Sequence, residues 1–403
     1  MNSPADSIKV FFKRLTQSKY FKSYVISAAV ILVGVVLIII TPWQTYTPDE
    51  DFSTPTPTLE PGQTPDPDST PDPALSPAPE DPPEPTPTPI PGEYNPLTGE
   101  PWAGNKDERP WAISINNYRD SLPQQGIAPA DIIYEFVTEG GHSTRMLALY
   151  QDASDVGIIG SVRSAREYIV EIAEGHDALF VHASGRLYDD AIELNGNPVT
   201  RRGTLDVNGK WVGRRDSYRR NTLKMQLDAT MVVDGVGLTE RISEINIRRD
   251  HEDYEQTLRF KEDGTPENGL IAKSIEVKFT TNSKSTFFSY SDTSNRYTVR
   301  QYSRDLIDTV GENETDIILS FTNVLVLQTD IQLGVNDAGH SRVRTEGQGT
   351  GFYFNGGRYI EITWSREANK GYVYKLTNGE PLELGIGKTY ICIVSTSQTP
   401  IVT

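Results

Sequence analysis

The sequence predicts an α/β N-terminal domain and a smaller, β-rich C-terminal domain, which follow one transmembrane helix and a disordered linker. Three observations predict this fold class. A charge-free apolar run near the N-terminus precedes a stretch that is dense in proline and acidic residues. Short β-like and helical runs then alternate up to about residue 250. Beyond that point β-like runs recur between turn residues, with little helical periodicity.

Residues 24–41 are predicted to form the transmembrane helix. The seventeen residues from Tyr24 to Ile40 carry no charge, and a helix needs about 17 to 25 apolar residues to cross a bilayer. Lys and Arg are frequent in residues 1–23 and absent from there to residue 105. We therefore expect residues 1–23 in the cytoplasm and the globular part outside the cell membrane. A cleaved signal peptide is the alternative, but no small-residue cleavage site follows the run.

Residues 42–93 are predicted to form the disordered linker. Residues 47–92 hold 16 of the 27 prolines and ten acidic residues, with no Lys or Arg. Such a composition cannot bury enough apolar surface to offset the entropy of ordering the chain. Proline also favours an extended backbone of about 3.1 Å per residue. We expect the linker to act as a spacer, and the sequence does not decide whether its Thr-Pro repeats are modified.

The globular part is predicted to divide into an α/β domain, residues 94–250, and a β-rich domain, residues 251–403. The first combines four strand-like runs with an amphipathic helix from Ser164 to Glu174. Its predicted strands are Trp111 to Asn116, Asp131 to Val137, Thr144 to Gln151 and Ala178 to Ala183. Those of the second domain are Ile275 to Thr280, Tyr297 to Tyr302, Val324 to Gln328, Gly351 to Phe354, Tyr359 to Trp364, Tyr372 to Lys375 and Tyr390 to Val394. Strands at that spacing are typical of a sandwich or barrel-like domain.

Other motifs of the globular part are interpreted as structural. Gly347, Gly349 and Gly351 lead into aromatic residues and another turn, which favours a β-hairpin or bulge over a nucleotide site. Cys392 lies in an apolar strand-like run and is interpreted as a core residue. As the only cysteine, it excludes intrachain disulfides and, from its position, argues against a lipid anchor near the N-terminus. The glycine pattern around Ser184 is incomplete for a nucleophile elbow. No histidine spacing indicates a metal site, and we predict no cofactor.

The segment Gly-Ser-Val-Arg-Ser-Ala-Arg-Glu, residues 160–167, is the densest chemical signal in the chain. Ser164 and Glu167 have the spacing of a capping box, which predicts a helix that begins at Ser164. Arg163 and Arg166 would then lie at the positive end of the helix dipole, where guanidinium groups favour phosphate or carboxylate.

The alternative for these two arginines is structural. Glu135 and Glu139 stand at the ends of neighbouring strand-like runs and could pair with them inside the domain. A buried pair of this kind would stabilise the fold without binding a ligand.

A basic stretch lies within the acidic globular part. Residues 200–225 hold eight basic residues against two acidic ones, which predicts a contact for an anionic surface or polymer. The predicted patch is Arg214, Arg215, Arg219 and Arg220. A solvated loop is the alternative, and the net charge of −17 argues against nucleic acid as a partner.

Ordered motifs along residues 95–396 resemble one known family. They are Asn95 to Gly99, Arg109-Pro110, Asn117, Pro123-Gln124 with Gly126, Ala130 to Ile132 with Tyr134-Glu135, Glu139 to Gly141, Thr144-Arg145, Val162 to Arg166, Asn323-Val324, Gly347 to Gly351 and Gly387 to Ile391. With these motifs the chain resembles the DUF3048 family, the YerB-like envelope proteins of Gram-positive bacteria. The resemblance implies an α/β domain, a smaller β-rich domain and no established reaction.

The chain also departs from that family. Its members are mostly lipoproteins, whereas a transmembrane helix is predicted here. One extra residue precedes Thr144, and Arg219-Arg220-Asn221 stands where a Pro-His-Asn-like motif is expected. Any role that rests on that histidine is therefore in doubt for this chain.

These observations favour a non-catalytic envelope protein that binds a wall component or a wall-synthesis partner outside the membrane. The predicted ligand-binding residues are Asn117, Glu135, Arg145, Arg163, Ser164 and Arg166. The alternative is an enzyme acting on a phosphate-bearing envelope glycan or precursor, so whether the protein is an enzyme stays open. In that case Arg145, Arg163 and Arg166 would act as electrostatic stabilisers, and Glu139 or His182 would act as acid or base.

Overall fold

The computed structural model describes residues 93–183, 204–206, 212–244, 247–309, 315–335 and 339–403. The predicted cytoplasmic segment, the predicted transmembrane helix and, apart from residue 93, the predicted linker lie outside these ranges. Ser184 and part of the basic stretch, Arg201, Arg202 and Lys210, also lie outside them. Within the described ranges, no helix is both long and apolar enough to cross a membrane.

Strands outnumber helices throughout the described residues. The helices are α1 (Glu167–Gly175), α2 (Ser217–Asn221) and α3 (Gly235–Arg241), and short 3-10 turns occur at Arg119–Ser121, Glu139–Gly141, Leu227–Ala229 and Ile242–Glu244. The first strands are β1 (Trp111–Asn117), β2 (Ile132–Val137), β3 (Thr144–Tyr150), β4 (Ile158–Gly160), β5 (Leu179–His182), β6 (Thr204–Asp206), β7 (Arg214–Arg215) and β8 (Met231–Asp234). Because the longest of these helices has nine residues, the content is mostly β.

The remaining strands follow residue 250. They are β9 (Phe260–Lys261), β10 (Leu270–Ile271), β11 (Ser274–Lys278), β12 (Ser285–Ser291), β13 (Arg296–Gln301), β14 (Arg304–Asp305), β15 (Ile307–Asp308), β16 (Ile317–Ile318), β17 (Ser320–Phe321), β18 (Asn323–Thr329), β19 (Ile331–Gln332), β20 (Arg342–Val343), β21 (Gly347–Asn355), β22 (Arg358–Arg366), β23 (Val373–Leu376), β24 (Leu384–Gly385), β25 (Thr389–Ser395) and β26 (Ile401–Val402). The predicted strands are confirmed to within two residues at each end, except that β21 begins four residues earlier, at Gly347.

One sheet of eleven strands contains strands from both halves of the globular part. Its order is β10-β22-β21-β18-β25-β2-β3-β1-β5-β6, with β23 paired to β22. Strand β25, close to the C-terminus, lies between β18 and β2 and runs parallel to both. Six of the strands after residue 250 therefore extend a shared sheet: β10, β18, β21, β22, β23 and β25. They do not close a separate sandwich or barrel, and that expectation was wrong because β25 pairs with β2 of the first half.

The central strands are buried on both faces. Every residue of β1, β2 and β3 is buried. Sequences such as Ile132–Val137 are nearly continuous in apolar residues, which is typical of strands that are covered on both sides. Cys392 of β25 is also fully buried, so its interpretation as a core residue is confirmed.

A second sheet, β14-β13-β12-β11-β26 with β17 paired to β13, packs against β25. The ring of Tyr390 contacts Phe288 of β12 and Phe321 of β17, with ring centroids 5.2 and 5.1 Å apart. All three side chains are buried. Burial of an aromatic side chain of this size contributes about 1.5 to 3 kcal/mol, so this contact stabilises the packing of one sheet on the other.

The glycine-rich segment forms a β-hairpin, as predicted. Strands β21 and β22 pair in antiparallel register, with Gly349 opposite Trp364. A Cβ atom on Gly349 would lie 2.6 Å from the indole of Trp364, which is closer than atoms pack. Glycine is therefore required here because the indole covers the strand.

The predicted start of the helix at Ser164 was wrong. Helix α1 begins at Glu167, and its N-cap, Arg166, has φ −136° and ψ 149° with no side-chain capping bond. The preceding backbone is extended because it pairs with β1: the N–H of Arg163 donates to the carbonyl of Ser114 over 2.8 Å. The Ser164 carbonyl, which would accept the first hydrogen bond of the predicted helix, instead accepts from the hydroxyl of Ser114 and from Nη1 of Arg145.

Candidate functional site

Two arginines and one glutamate meet beside the end of the shared sheet. Arg145 comes from β3, Arg166 caps α1, and Glu139 comes from the 3-10 turn between β2 and β3. Nη2 of Arg145 lies 3.8 Å from Oε2 of Glu139. Nη2 of Arg166 contacts Oε1 of the same carboxylate. The structure therefore brings two of the predicted anion-binding arginines together on one internal carboxylate.

The two guanidinium groups are nearly buried and held by backbone carbonyls. Arg145 and Arg166 are 5% and 8% exposed. Nη1 of Arg145 donates to the carbonyl of Ser164 over 2.7 Å, and Nη1 of Arg166 donates to that of Ala165 over 2.6 Å. Nε of Arg166 has no hydrogen-bond partner among the described residues. Burial lowers the pKa of Arg145 to about 10, so it remains charged at neutral pH.

A histidine from the second half of the chain lies close to these charges. Burial lowers the pKa of His340, and the charges of Arg166 and Arg145 lower it further. Two hydrogen bonds connect the region of His340 to the turn that carries Glu139. The N–H of Gly140 donates to the carbonyl of Gly339 over 3.0 Å, and the hydroxyl of Ser341 donates to the carbonyl of Thr138 over 2.7 Å. The sequence does not indicate this proximity.

Arg163 and the side chain of Ser164 do not join the contact with Glu139. Nη2 of Arg163 donates to Oδ2 of Asp228 over 2.9 Å, with both side chains partly exposed. Ser164 contributes its backbone carbonyl, which accepts from Arg145. The expected pairing of Arg163 with Glu135 or Glu139 is therefore replaced by a surface pair with Asp228, whereas Arg166 does pair with Glu139.

Glu135 and Asn117 belong to a different, fully buried cluster. Oε1 of Glu135 lies 2.5 Å from Nζ of Lys284. Nδ2 of Asn117 donates to Oε1 of Glu135 over 2.9 Å. The other donors to this carboxylate are Thr144, Thr286, Gln301 and Tyr390. Glu135 is inaccessible to solvent, and its oxygens are occupied from several sides, which indicates a structural role for both predicted ligand residues.

The two candidate acid or base residues are poorly placed for catalysis. His182 ends β5, is fully buried, and stacks on Phe180 with ring centroids 5.3 Å apart. Glu139 is reached by solvent, but its carboxylate contacts two guanidinium groups. Neither residue presents an accessible, unengaged acid or base to a substrate.

The predicted basic patch is smaller than expected. Arg214, Arg215 and Arg220 are exposed, whereas Arg219 is fully buried. Its Nε donates to the carbonyl of Ala229 over 2.9 Å and its Nη2 to that of Ser121 over 2.8 Å. Arg219 lies on the inner side of α2, so it connects the helix to the core and does not belong to the surface patch.

The fold and site together define a mostly β protein with an arginine-lined site beside a sheet that both halves of the globular part share. Among the described residues, no group of three or more His, Cys, Asp or Glu is arranged to hold a metal ion. A family model described as "Protein of unknown function (DUF3048) N-terminal domain" matches residues 97–226, and the model for the C-terminal domain matches residues 275–391. The chain belongs to this family, which confirms the resemblance noted in its sequence.

A relative and a solved structure agree with this membership. YerB of Bacillus subtilis strain 168, provisionally described as a lipoprotein, is 27% identical over 304 residues, which cover 74% of this chain and 85% of YerB. The crystal structure of YerB from Bacillus subtilis has a TM-score of 0.63 at 23% identity and covers 76% of this chain and 99% of that chain. The structural likeness shows a shared fold.

Proposed function

We propose that this chain is a membrane-anchored, extracytoplasmic envelope protein that binds an anionic wall component without catalysing a reaction. The observation that carries the proposal is the pair of nearly buried guanidinium groups at Arg145 and Arg166. The apolar segment 24–41 and the description of YerB as a lipoprotein both favour attachment to the membrane. A wall-synthesis protein with an anionic surface is the second partner that this site would accept.

The geometry of the two arginines suits anion binding. A guanidinium group presents five N–H donors in a planar fork that matches carboxylate and phosphate. The carbonyls of Ser164 and Ala165 hold the two forks in place, so little side-chain entropy remains to be lost when an anion binds. Low exposure strengthens the attraction, because the local dielectric constant is lower than that of water.

The same geometry favours binding over catalysis. A general acid or base must reach the substrate and exchange a proton with it. Glu139 is engaged by two cations, and His182 is buried within the sheet. The alternative of an enzyme acting on a phosphate-bearing glycan or precursor therefore has less support than a binding function.

Arg214, Arg215 and Arg220 supply a second, weaker contact for an anionic polymer. Their guanidinium groups are exposed, and exposed charges are screened by salt over about 8 to 10 Å at physiological ionic strength. We expect them to contribute mainly to the rate of association and to its dependence on salt.

Cosedimentation of the purified full chain with isolated Gram-positive cell walls tests the proposal. One wall sample retains its anionic polymers and the other has been stripped of them chemically. We expect cosedimentation with the first sample only, and a loss in the Arg145→Gln/Arg166→Gln variant. Arg300→Gln is the matched control because its exposed guanidinium lies on the second sheet. Equal binding to both wall samples, or full binding by the double variant, would contradict the proposal.

A further inference from the structure

We propose that Glu139 occupies the anion site as an internal substitute for a phosphate group of the ligand, and that ligand binding displaces it. The inference rests on the proposed function, because it assigns the chemical class and the regulation of the same site. It concerns three residues of the described chain, Glu139, Arg145 and Arg166.

The Glu139 side chain is more exposed than the two arginines that it contacts. The Glu139 side chain is 32% exposed, whereas those of Arg145 and Arg166 are 6% and 9% exposed. The guanidinium groups of Arg145 and Arg166 both contact the Glu139 carboxylate. An external anion that bound these two guanidinium groups would therefore compete with Glu139 for them.

Two glycines follow Glu139 in the turn that carries it. Gly140 and Gly141 follow it with φ of +64° and +73°, a region in which glycine has little steric restriction. A Cβ atom on Gly140 would meet nothing closer than the His142 ring at 3.4 Å. Gly141 is packed more closely, because a Cβ atom on it would lie 2.6 Å from Leu333 and its carbonyl accepts from the hydroxyl of Thr280. Withdrawal of the Glu139 carboxylate therefore takes rotation of the Glu139 side chain.

Glu139 does not satisfy the hydrogen-bonding groups of the site. Oε2 of Glu139 is 3.8 Å from Arg145, beyond hydrogen-bond distance, and Nε of Arg166 has no partner among the described residues although this arginine is more than nine-tenths buried. A phosphate group presents more acceptor oxygens than a carboxylate and more negative charge than one carboxylate when it is a monoester. It would use donors that Glu139 leaves unsatisfied.

Competition by an internal group lowers the apparent affinity in a measurable way. The apparent dissociation constant equals the intrinsic one divided by the fraction of molecules whose site is open. If Glu139 occupies the site in at least nine molecules of ten, its removal should tighten phosphate binding by about tenfold or more.

Calorimetric titration of the full chain with inorganic phosphate tests this inference. We expect Glu139→Gln to bind phosphate at least about tenfold more tightly than the parent, and Glu139→Asp, with its shorter reach, to lie between them. Adding Arg166→Gln to Glu139→Gln should abolish the gain. Glu361→Gln is the control, because it removes the same charge from an exposed position on β22. If Glu139→Gln folds too poorly to be titrated, the comparison of Glu139→Asp with the parent decides.

Several results would overturn the inference. Equal phosphate affinity in the parent and Glu139→Gln excludes displacement, and a gain that survives Arg166→Gln places the phosphate elsewhere. Acetate binding as tightly as phosphate contradicts the assigned ligand class. Titrations with dimethyl phosphate and with pyrophosphate then distinguish two sources of the ligand, a phosphodiester of a wall polymer and a diphosphate of a precursor. Tighter binding of either compound by Glu139→Gln than by the parent supports displacement. Arginine-dependent wall binding without any gain in phosphate affinity in Glu139→Gln would overturn this inference alone, whereas absence of wall binding by the parent chain would contradict the proposed function.

Discussion

The carboxylate of Glu135 and the ammonium group of Lys284 form a buried ion pair that connects the two family domains. Their atoms lie 2.5 Å apart, and the two side chains are 0% and 6% exposed. Glu135 lies in the N-terminal match and Lys284 in the C-terminal one. Burial lowers the pKa of Lys284, and the charge of Glu135 opposes that effect. Each charge therefore depends on the other for its stability inside the protein.

Removal of Lys284 should destabilise the globular part strongly. Lys284→Met leaves the Glu135 carboxylate buried without a counter-ion, which costs about 3 to 5 kcal/mol. Urea unfolding measures the loss, with Lys278→Met at an exposed position of β11 as the control. The added substitution Glu135→Gln should recover part of the stability. Similar unfolding midpoints for Lys284→Met and the control would refute a structural role for the pair.

Two adjacent arginines of α2 should respond differently to the same substitution. Arg219→Gln leaves buried carbonyl groups of Ser121 and Ala229 without their donors, and each costs about 1 to 3 kcal/mol. Arg220 is exposed and donates only to the carbonyl of Met225 among the described residues, so Arg220→Gln should change stability by less than about 1 kcal/mol. Thermal unfolding measures the loss of stability in the two variants. A smaller loss in Arg219→Gln than in Arg220→Gln would contradict the buried, hydrogen-bonded position of Arg219.

Arg163 should contribute little to stability. Its pair with Asp228 is partly exposed on both sides, and pairs of this kind contribute about 0 to 1 kcal/mol. Arg163→Gln should therefore shift the unfolding midpoint slightly, and the shift should shrink at high salt. Arg166→Gln removes a nearly buried donor to the carbonyl of Ala165 and the ion pair with Glu139 and should cost about 1 to 3 kcal/mol. Equal losses in the two variants would show that Arg163 is also a structural residue.

Asp177 should make the stability depend on acidity. Burial alone would raise the pKa of Asp177, but hydrogen bonds from His251 and Arg248 and the charge of Arg109 lower it to about 2. An unfolded Asp titrates near about 3.9, so the unfolded state binds the proton more readily. The stabilisation is therefore complete above about pH 4 and is lost as the pH falls towards about 2.

The Asp177→Asn variant tests this dependence. A difference of about two pKa units corresponds to roughly 2 to 3 kcal/mol, which we expect the variant to lose at neutral pH. Its stability should then change less with pH than that of the parent between about pH 4 and 2. Asp152→Asn is the control, because its exposed carboxylate bonds only to a neighbouring backbone N–H. A parallel acid dependence in parent and Asp177→Asn would rule out this assignment.

Strand positions could be predicted closely because burial on both faces leaves a local pattern. The run Val324 to Gln328 lies within β18, which extends from Asn323 to Thr329. Apolar, β-branched and aromatic residues accumulate there because each side chain packs on a covered face. The helix start at Ser164 could not be predicted correctly, since hydrogen bonds from this segment to β1 override the capping pattern.

The site was predictable only in part. Arg145 and Arg166 were identified from the sequence, and the structure places both on Glu139. The proximity of His340 to this site could not be predicted, because nothing in its local sequence indicates a contact with residues about two hundred positions earlier. Arg219 was assigned to the surface because composition alone cannot distinguish the inner from the outer side of a five-residue helix.

The sequence by itself determined the family, the strand-rich character of the globular part and the presence of an arginine-rich segment, because these properties are written in local composition and spacing. Only the tertiary structure decided which charges meet. Lys284 reaches Glu135 across 149 positions of the chain, and it does so because β12 of the second sheet packs over the junction of β2 and β25. A local pattern reports whether a side chain is covered, whereas its partner is chosen by the packing of distant strands.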